Sequence, residues 1–125
     1  VSPRSIFVFG SNLAGRHGKG AALFARQHYG AIYGQAEGLQ GDSYAIPTRD
    51  GRGHEPMTTL SLGDIRQHVE TFLAFADAHP ELSFEVTPIG CGLAGYRPRD
   101  IGPMFADAPT NVRLPIRFRE VLGRR

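Results

Sequence analysis

Two glycine-rich segments, each directly behind a short apolar run, constrain this chain more than anything else in it. Ile6-Phe7-Val8-Phe9 opens into Gly10-Ser11-Asn12-Leu13-Ala14-Gly15-Arg16-His17-Gly18-Lys19-Gly20, and Phe84-Glu85-Val86-Thr87 leads through Pro88 into Ile89-Gly90-Cys91-Gly92-Leu93-Ala94-Gly95-Tyr96. A short apolar run bounded by turn residues reads as a buried strand. After the first loop, Ala21 to Tyr29 is a run of good helix formers, and Gly30 is placed as its left-handed stop. A strand, a glycine loop and a helix in that order leave bare backbone N–H groups at a helix start, which suits an anion. Two such loops at strand C-termini face each other across a crevice, where open α/β sheets take their ligands. The pair predicts a ligand with two phosphates, or one phosphate flanked by sugars.

The remaining pattern alternates strands with helices. Ala31-Ile32-Tyr33 reads as a short strand and Gly34 to Asp42 as loop. Ser43 to Pro47 is a strand weakened at its end by proline, and Thr48 to Thr59 is a polar, mobile surface loop. Leu62, Ile65, Val69, Phe72, Leu73 and Ala76 recur at helical spacing, with Ser61 and Asp64 forming a capping signal, so a helix is expected from Leu62 to Ala78. Pro98 starts a short helix carrying Ile101, Met104 and Phe105, limited by Pro103. Val112-Arg113-Leu114 is a last strand. The expected fold is α/β with a largely parallel or mixed sheet, in a chain whose 125 residues suit one domain.

Several function classes are excluded or left without support. No apolar run approaches the ~20 residues of a membrane span. No signal peptide opens the chain, although Val1 suggests that the true start lies upstream. Cys91 is the single cysteine, so no internal disulfide forms and a reducing, cytoplasmic setting is expected. The five histidines show no metal-binding spacing, so neither a metal nor a cofactor is expected. The net charge of +2 is mild. Arg113, Arg117, Arg119, Arg124 and Arg125 crowd the C-terminus, as a nucleic-acid patch or, more simply, a solvated tail; no aromatics are interleaved to stack on bases.

The first loop matches neither common nucleotide fingerprint. Gly15, Gly18 and Gly20 run in the reverse order of G-x-G-x-x-G, and Lys19 is followed by Gly20 where the P-loop needs Ser or Thr. Asn12, at the strand exit, orients a sugar or a water, or serves as a turn residue. His17 donates to a phosphate or lies at the surface. Cys91 is a nucleophile activated by a helix terminus, or a small buried apolar residue. Tyr96 stacks on a sugar or packs in the core.

Three ordered segments resemble the macrodomain superfamily of ADP-ribose-binding modules. Gly18-Lys19-Gly20-Ala21-Ala22-Leu23-Phe24, closing at Tyr29-Gly30, is similar to the first loop and helix of one branch. That branch contains the terminal ADP-ribose protein glycohydrolases and the antitoxin macrodomains that strip ADP-ribose from DNA. Tyr44-Ala45-Ile46-Pro47-Thr48-Arg49 resembles its strand ending in Thr-Lys, and Ile89-Gly90-Cys91-Gly92-Leu93 its second phosphate loop. The resemblance implies a three-layer α/β/α sandwich with a mixed sheet and ADP-ribose lying across its top. It places Gly10 and Ser11 at the strand exit, and Gly18, Gly20, Ala21 and Ala22 beside the distal ribose and diphosphate. Thr48 borders the ligand. Ile89, Gly90, Cys91, Gly92, Leu93, Ala94 and Gly95 wrap the diphosphate, and Tyr96 lies near the distal ribose. The lysine and acid of that branch are replaced here by Arg49 and Ala94. Arginine stays protonated and cannot attack as lysine does. The implied activity is hydrolysis of an ADP-ribosyl linkage or an ADP-ribose derivative by a monomer, with Asn12 placing water and Arg49 stabilising charge. ADP-ribosylated protein or nucleic acid is the implied partner. The alternatives are a non-catalytic reader of ADP-ribose or a related nucleotide, and a small basic nucleic-acid-binding domain.

Overall fold

The computed structural model describes residues 3–53 and 56–124. Three parallel strands form its centre. β1 (Arg4–Asn12) lies between β3 (Ser43–Asp50) and β5 (Leu82–Val86), pairing Phe7 with Ser43 and Ile6 with Phe84. β6 (Val112–Arg113) extends the parallel set beyond β5. On the other edge of β3 lie two short antiparallel strands, β2 (Gly38–Gln40) against Ser43–Ala45 and β4 (Thr58–Thr59) against Arg49–Asp50. The sheet is mixed and six-stranded, in the order β2-β3-β1-β5-β6 with β4 beside β3.

Alternation along β1 sets the layers, because successive side chains point to opposite faces. Ile6 and Val8, with Tyr44 and Ile46 of β3 and Phe84 of β5, face the larger core. There they meet Ile65, Val69, Phe72 and Ala76 of α2 (Leu62–Ala78), whose i, i+4, i+7, i+11 spacing gives one apolar stripe. The Ser61 hydroxyl accepts from the Asp64 amide at 3.1 Å and starts this helix. The same layer holds α3 (Pro98–Ile101), the 3-10 turn Gly102–Phe105, and α4 (Ile116–Val121). Phe105 and Phe118 stack there at 5.5 Å between centroids. Phe7 and Phe9 point the other way, toward α1 (Gly20–His28). Ala22, Ala25, Ala31 and Ala45 keep that layer thin, and Phe7 stacks on Tyr29 at 4.7 Å. The result is a three-layer α/β/α sandwich.

The expected elements mostly recur with shifted ends. The Leu62–Ala78 helix keeps both of its ends. Four readings are corrected. Ala31-Ile32-Tyr33 forms no strand; Ile32 heads a turn in which the Gln35 amide donates to its carbonyl at 3.0 Å. Gly34 to Asp42 is not all loop, because β2 lies within it. The segment Thr48 to Thr59 gives its first three residues to β3 and its last two to β4, while His54 and Glu55 lie outside the described residues. The C-terminal arginines are solvated at Arg113, Arg117 and Arg124, but they do not form a tail, since Arg117 and Arg119 sit on α4; Arg125 lies outside the described residues.

Candidate functional site

The C-terminal ends of β1, β3 and β5 open on a cavity of about 790 Å³, the size range of small-molecule sites. Its floor is the end of β1. A Cβ added at Gly10 would stand 3.3 Å from the Thr48 hydroxyl and 3.7 Å from Ile89, so glycine keeps the floor open. The Ser11 hydroxyl is turned away to the Ala36 carbonyl at 2.6 Å. A register shift between Ser11 and Asn12 shapes one wall: Ser11 pairs with Pro47, but Asn12 pairs with Arg49. Thr48 is therefore an extra residue. Successive strand residues normally face opposite ways, yet Thr48 and Arg49 both line the cavity, because such a bulge re-aims a side chain. Pro47 fits here because it falls between the β2 and β4 pairings.

The first loop is braced by side chains. The Asn12 carboxamide clasps one residue: its Oδ1 accepts from the Arg16 amide at 3.0 Å and its Nδ2 donates to the Arg16 carbonyl at 2.8 Å. The Arg16 guanidinium donates to the Gly51 carbonyl. Gly51 packs so closely that a Cβ would lie 2.6 Å from Asn12 Oδ1. Gly15 has φ of +69°, and a Cβ there would meet the Gly34 carbonyl carbon at 2.5 Å; only glycine makes that turn. His17 is neither at the surface nor in the cavity wall. It is fully buried, with Nε2 3.1 Å from Gln40 Oε1 and its ring edge-on to Phe9 at 5.2 Å. The loop then delivers Gly18, Lys19, Gly20, Ala21 and Ala22 to the cavity at the start of α1, where no side chain caps the first turn.

The second loop is braced by its own backbone. The amides of Ile89, Cys91, Gly95 and Tyr96 donate to Thr87, Pro88, Gly92 and Gly90 carbonyls. Among the described residues the amides of Gly90, Gly92, Leu93 and Ala94 have no partner, and all four residues line the cavity. The Thr59 hydroxyl ties the loop to β4 through the Ala94 carbonyl at 2.9 Å.

The cavity wall is cationic. Arg16, Lys19, Arg49 and Arg117 line it, and no aspartate or glutamate is among the described lining residues. Arg49 is held by donation to the Met57 carbonyl at 2.8 Å. Burial pushes the Cys91 thiol up from its ordinary value; Arg117 opposes that shift and Asp100 adds to it. Cys91 is thus kept as a neutral thiol and is a poor nucleophile at neutral pH. Among the described residues no group of histidine, cysteine and carboxylate side chains is placed to hold a metal, and no helix is long and apolar enough to cross a membrane.

The structure brings together nearly all the residues singled out from sequence. Gly95 and Tyr96 are not in the wall: the Tyr96 hydroxyl donates to the Leu60 carbonyl at 2.7 Å and its ring packs on the larger core. Sequence reasoning overlooked Tyr33 and Met57 as wall residues. It did not assign Arg16, Lys19 or Arg117 to the site, although Lys19 lies inside the glycine loop. Arg113, Arg119 and Arg124 line a separate groove by β6, so the C-terminal arginines serve two surfaces.

No protein-family model and no curated protein sequence matches this chain. A solved structure of a protein of unknown function from Bacteroides thetaiotaomicron is similar to it, with a TM-score of 0.63, 17% identity, and coverage of 91% of this chain and 88% of that one. At that identity the likeness speaks for a shared fold alone.

Proposed function

We propose that this chain is a macrodomain-like module that binds ADP-ribose, or a related nucleotide, through its diphosphate. One observation carries the reading. Four unpartnered amides of the second loop and the uncapped start of α1 border one cavity, with four cationic side chains and no carboxylate among its described lining residues. Backbone N–H groups and fixed cations suit phosphate oxygens. The loops follow adjacent strands, ~4.8 Å apart, so one diphosphate can touch both. Of the segments that carry the macrodomain resemblance, Gly18 to Ala22, Thr48 with Arg49, and Ile89 to Leu93 line this cavity.

Binding without turnover is the reading that the wall favours, since its described lining residues include no carboxylate or histidine and the thiol is kept neutral. Hydrolysis of an ADP-ribosyl linkage is the second reading. Asn12 lines the cavity and has one N–H beyond its bond to Arg16. That N–H can hold a water which a ligand phosphate orients, with Arg49 offsetting developing charge.

The deciding experiment is titration calorimetry with ADP-ribose, AMP, NAD and inorganic phosphate. Micromolar binding of ADP-ribose in preference to AMP is expected. No binding of ADP-ribose would overturn the reading. A bound complex that releases no product from ADP-ribosylated protein or DNA would leave the reader function standing and remove the hydrolase.

A further inference from the structure

We propose that Tyr33, backed by Arg26, is the platform on which the ligand's heteroaromatic base stacks. The inference deepens the nucleotide reading and rests on it. The loops and cations described above account for phosphate, but a nucleotide also carries a flat, weakly hydrated ring that gains most from an aromatic surface. Tyr33 is the single aromatic side chain among the described lining residues. It is 56% exposed.

Its backbone is nevertheless fixed on both sides. The Ile32 amide donates to Gln40 Oε1 at 2.7 Å, and the Gly34 amide donates to the Gly15 carbonyl at 2.8 Å. Gln40 is itself buried and approaches His17. Tyr33 is thereby locked to the first loop, on the same wall as Arg16 and Lys19. The Arg26 guanidinium carbon sits 5.2 Å from the ring centroid, a cation–π contact that occupies one face and leaves the other for a base. A ring held before the ligand arrives loses little freedom on binding. The platform stands at the first-loop end of the cavity, and Arg117 comes from α4, in the layer of α2 on the other face of the sheet from α1. The ligand class is therefore a nucleoside diphosphate or its sugar conjugate, with one base over Tyr33 and its phosphates between the loops.

The test is calorimetry on the full chain as wild type, Tyr33→Ala and Tyr33→Phe, each titrated with ADP-ribose, ADP and pyrophosphate. Tyr33→Ala is expected to weaken ADP-ribose and ADP about five- to 150-fold, the usual worth of one base stack. Pyrophosphate affinity should stay unchanged, and Tyr33→Phe should bind all three like the wild type. If Tyr33→Ala binds ADP-ribose as the wild type does, the platform is refuted and the nucleotide reading survives. An equal loss of pyrophosphate also overturns the platform, because the ring then serves only the shape of the wall. If the wild type binds pyrophosphate but neither nucleotide, both proposals fall.

Discussion

The first loop is held by side chains, the second by its own backbone, and the two walls of the cavity differ accordingly. Asn12 clasps Arg16, Arg16 reaches Gly51, and His17 meets Gln40, so the first loop owes its shape to groups spread over β1, β2 and the segment after β3. The second loop is shaped mainly by turns between Thr87 and Tyr96, with one side-chain tie from Thr59 to Ala94, and among the described residues it keeps four amides without a partner. One wall is an assembled frame that carries charge. The other is a preformed cradle of donors. Mutations in the first should therefore cost stability and binding together, and mutations in the second should cost binding alone.

The sharpest way to break the frame is Gly15→Ala. Its Cβ would overlap the backbone of Gly34 and Gln35, at a φ of +69°. A loss of ~2–4 kcal/mol is expected in urea unfolding, from strain plus clash, together with loss of ligand binding because Tyr33 is tied to the same turn. Asn12→Ala comes next. It strands the Arg16 amide and carbonyl in a partly buried place, at about 1–3 kcal/mol, and should lower both the melting temperature and nucleotide affinity. Intact affinity in that variant would show that Asn12 does not shape the wall. Gly92→Ala tests the other half of the comparison. Nothing lies within 4 Å of a Cβ there, so stability should change by less than about 0.5 kcal/mol. The methyl group stands beside the donor amides, and pyrophosphate affinity measured by calorimetry should drop about tenfold. The smallest effect concerns Cys91. With its thiol pushed up by burial, alkylation at neutral pH should be slower than for a free cysteine and should rise only above the ordinary thiol range. Cys91→Ser should leave any turnover intact. Rapid alkylation at neutral pH would mean that Arg117 outweighs burial.

Much of this was legible in the sequence where local pattern decides structure. The 3.6-residue spacing from Ile65 to Ala76 gave α2 its limits, with Ser61 at its start and Pro80 beyond its end. The glycine loops were legible because each needs backbone geometry that side chains forbid: Gly90 has φ of +74° and its Cβ would press on Ile101 at 3.1 Å. The short strands were not. β2 and β4 exist because β3 offers them an edge, and Gly-Leu-Gln or Thr-Thr carries no signal of its own. Pro47 looked like a strand end, yet β3 continues to Asp50 through the bulge. His17 looked like a loop histidine; its burial depends on Phe9 and Gln40, which no local reading connects to it. The cationic wall was illegible for the same reason. Arg16, Arg49 and Arg117 are scattered along the chain and meet only once the sheet is built.

The central position of β1 also fixes when the cavity can come into being. Its partners are β3 and β5, and the pair Ile6 and Phe84 spans most of the chain. Closing so long a loop is entropically slow, and such pairings dominate the folding time of parallel sheets. During synthesis the floor at the end of β1 and the first glycine loop emerge together, but the far wall that completes the cavity arrives only with β5 and the residues behind it. Until then the apolar β1 has lost its neighbours on one side. The nascent chain must shelter that strand before it has any ligand to gain.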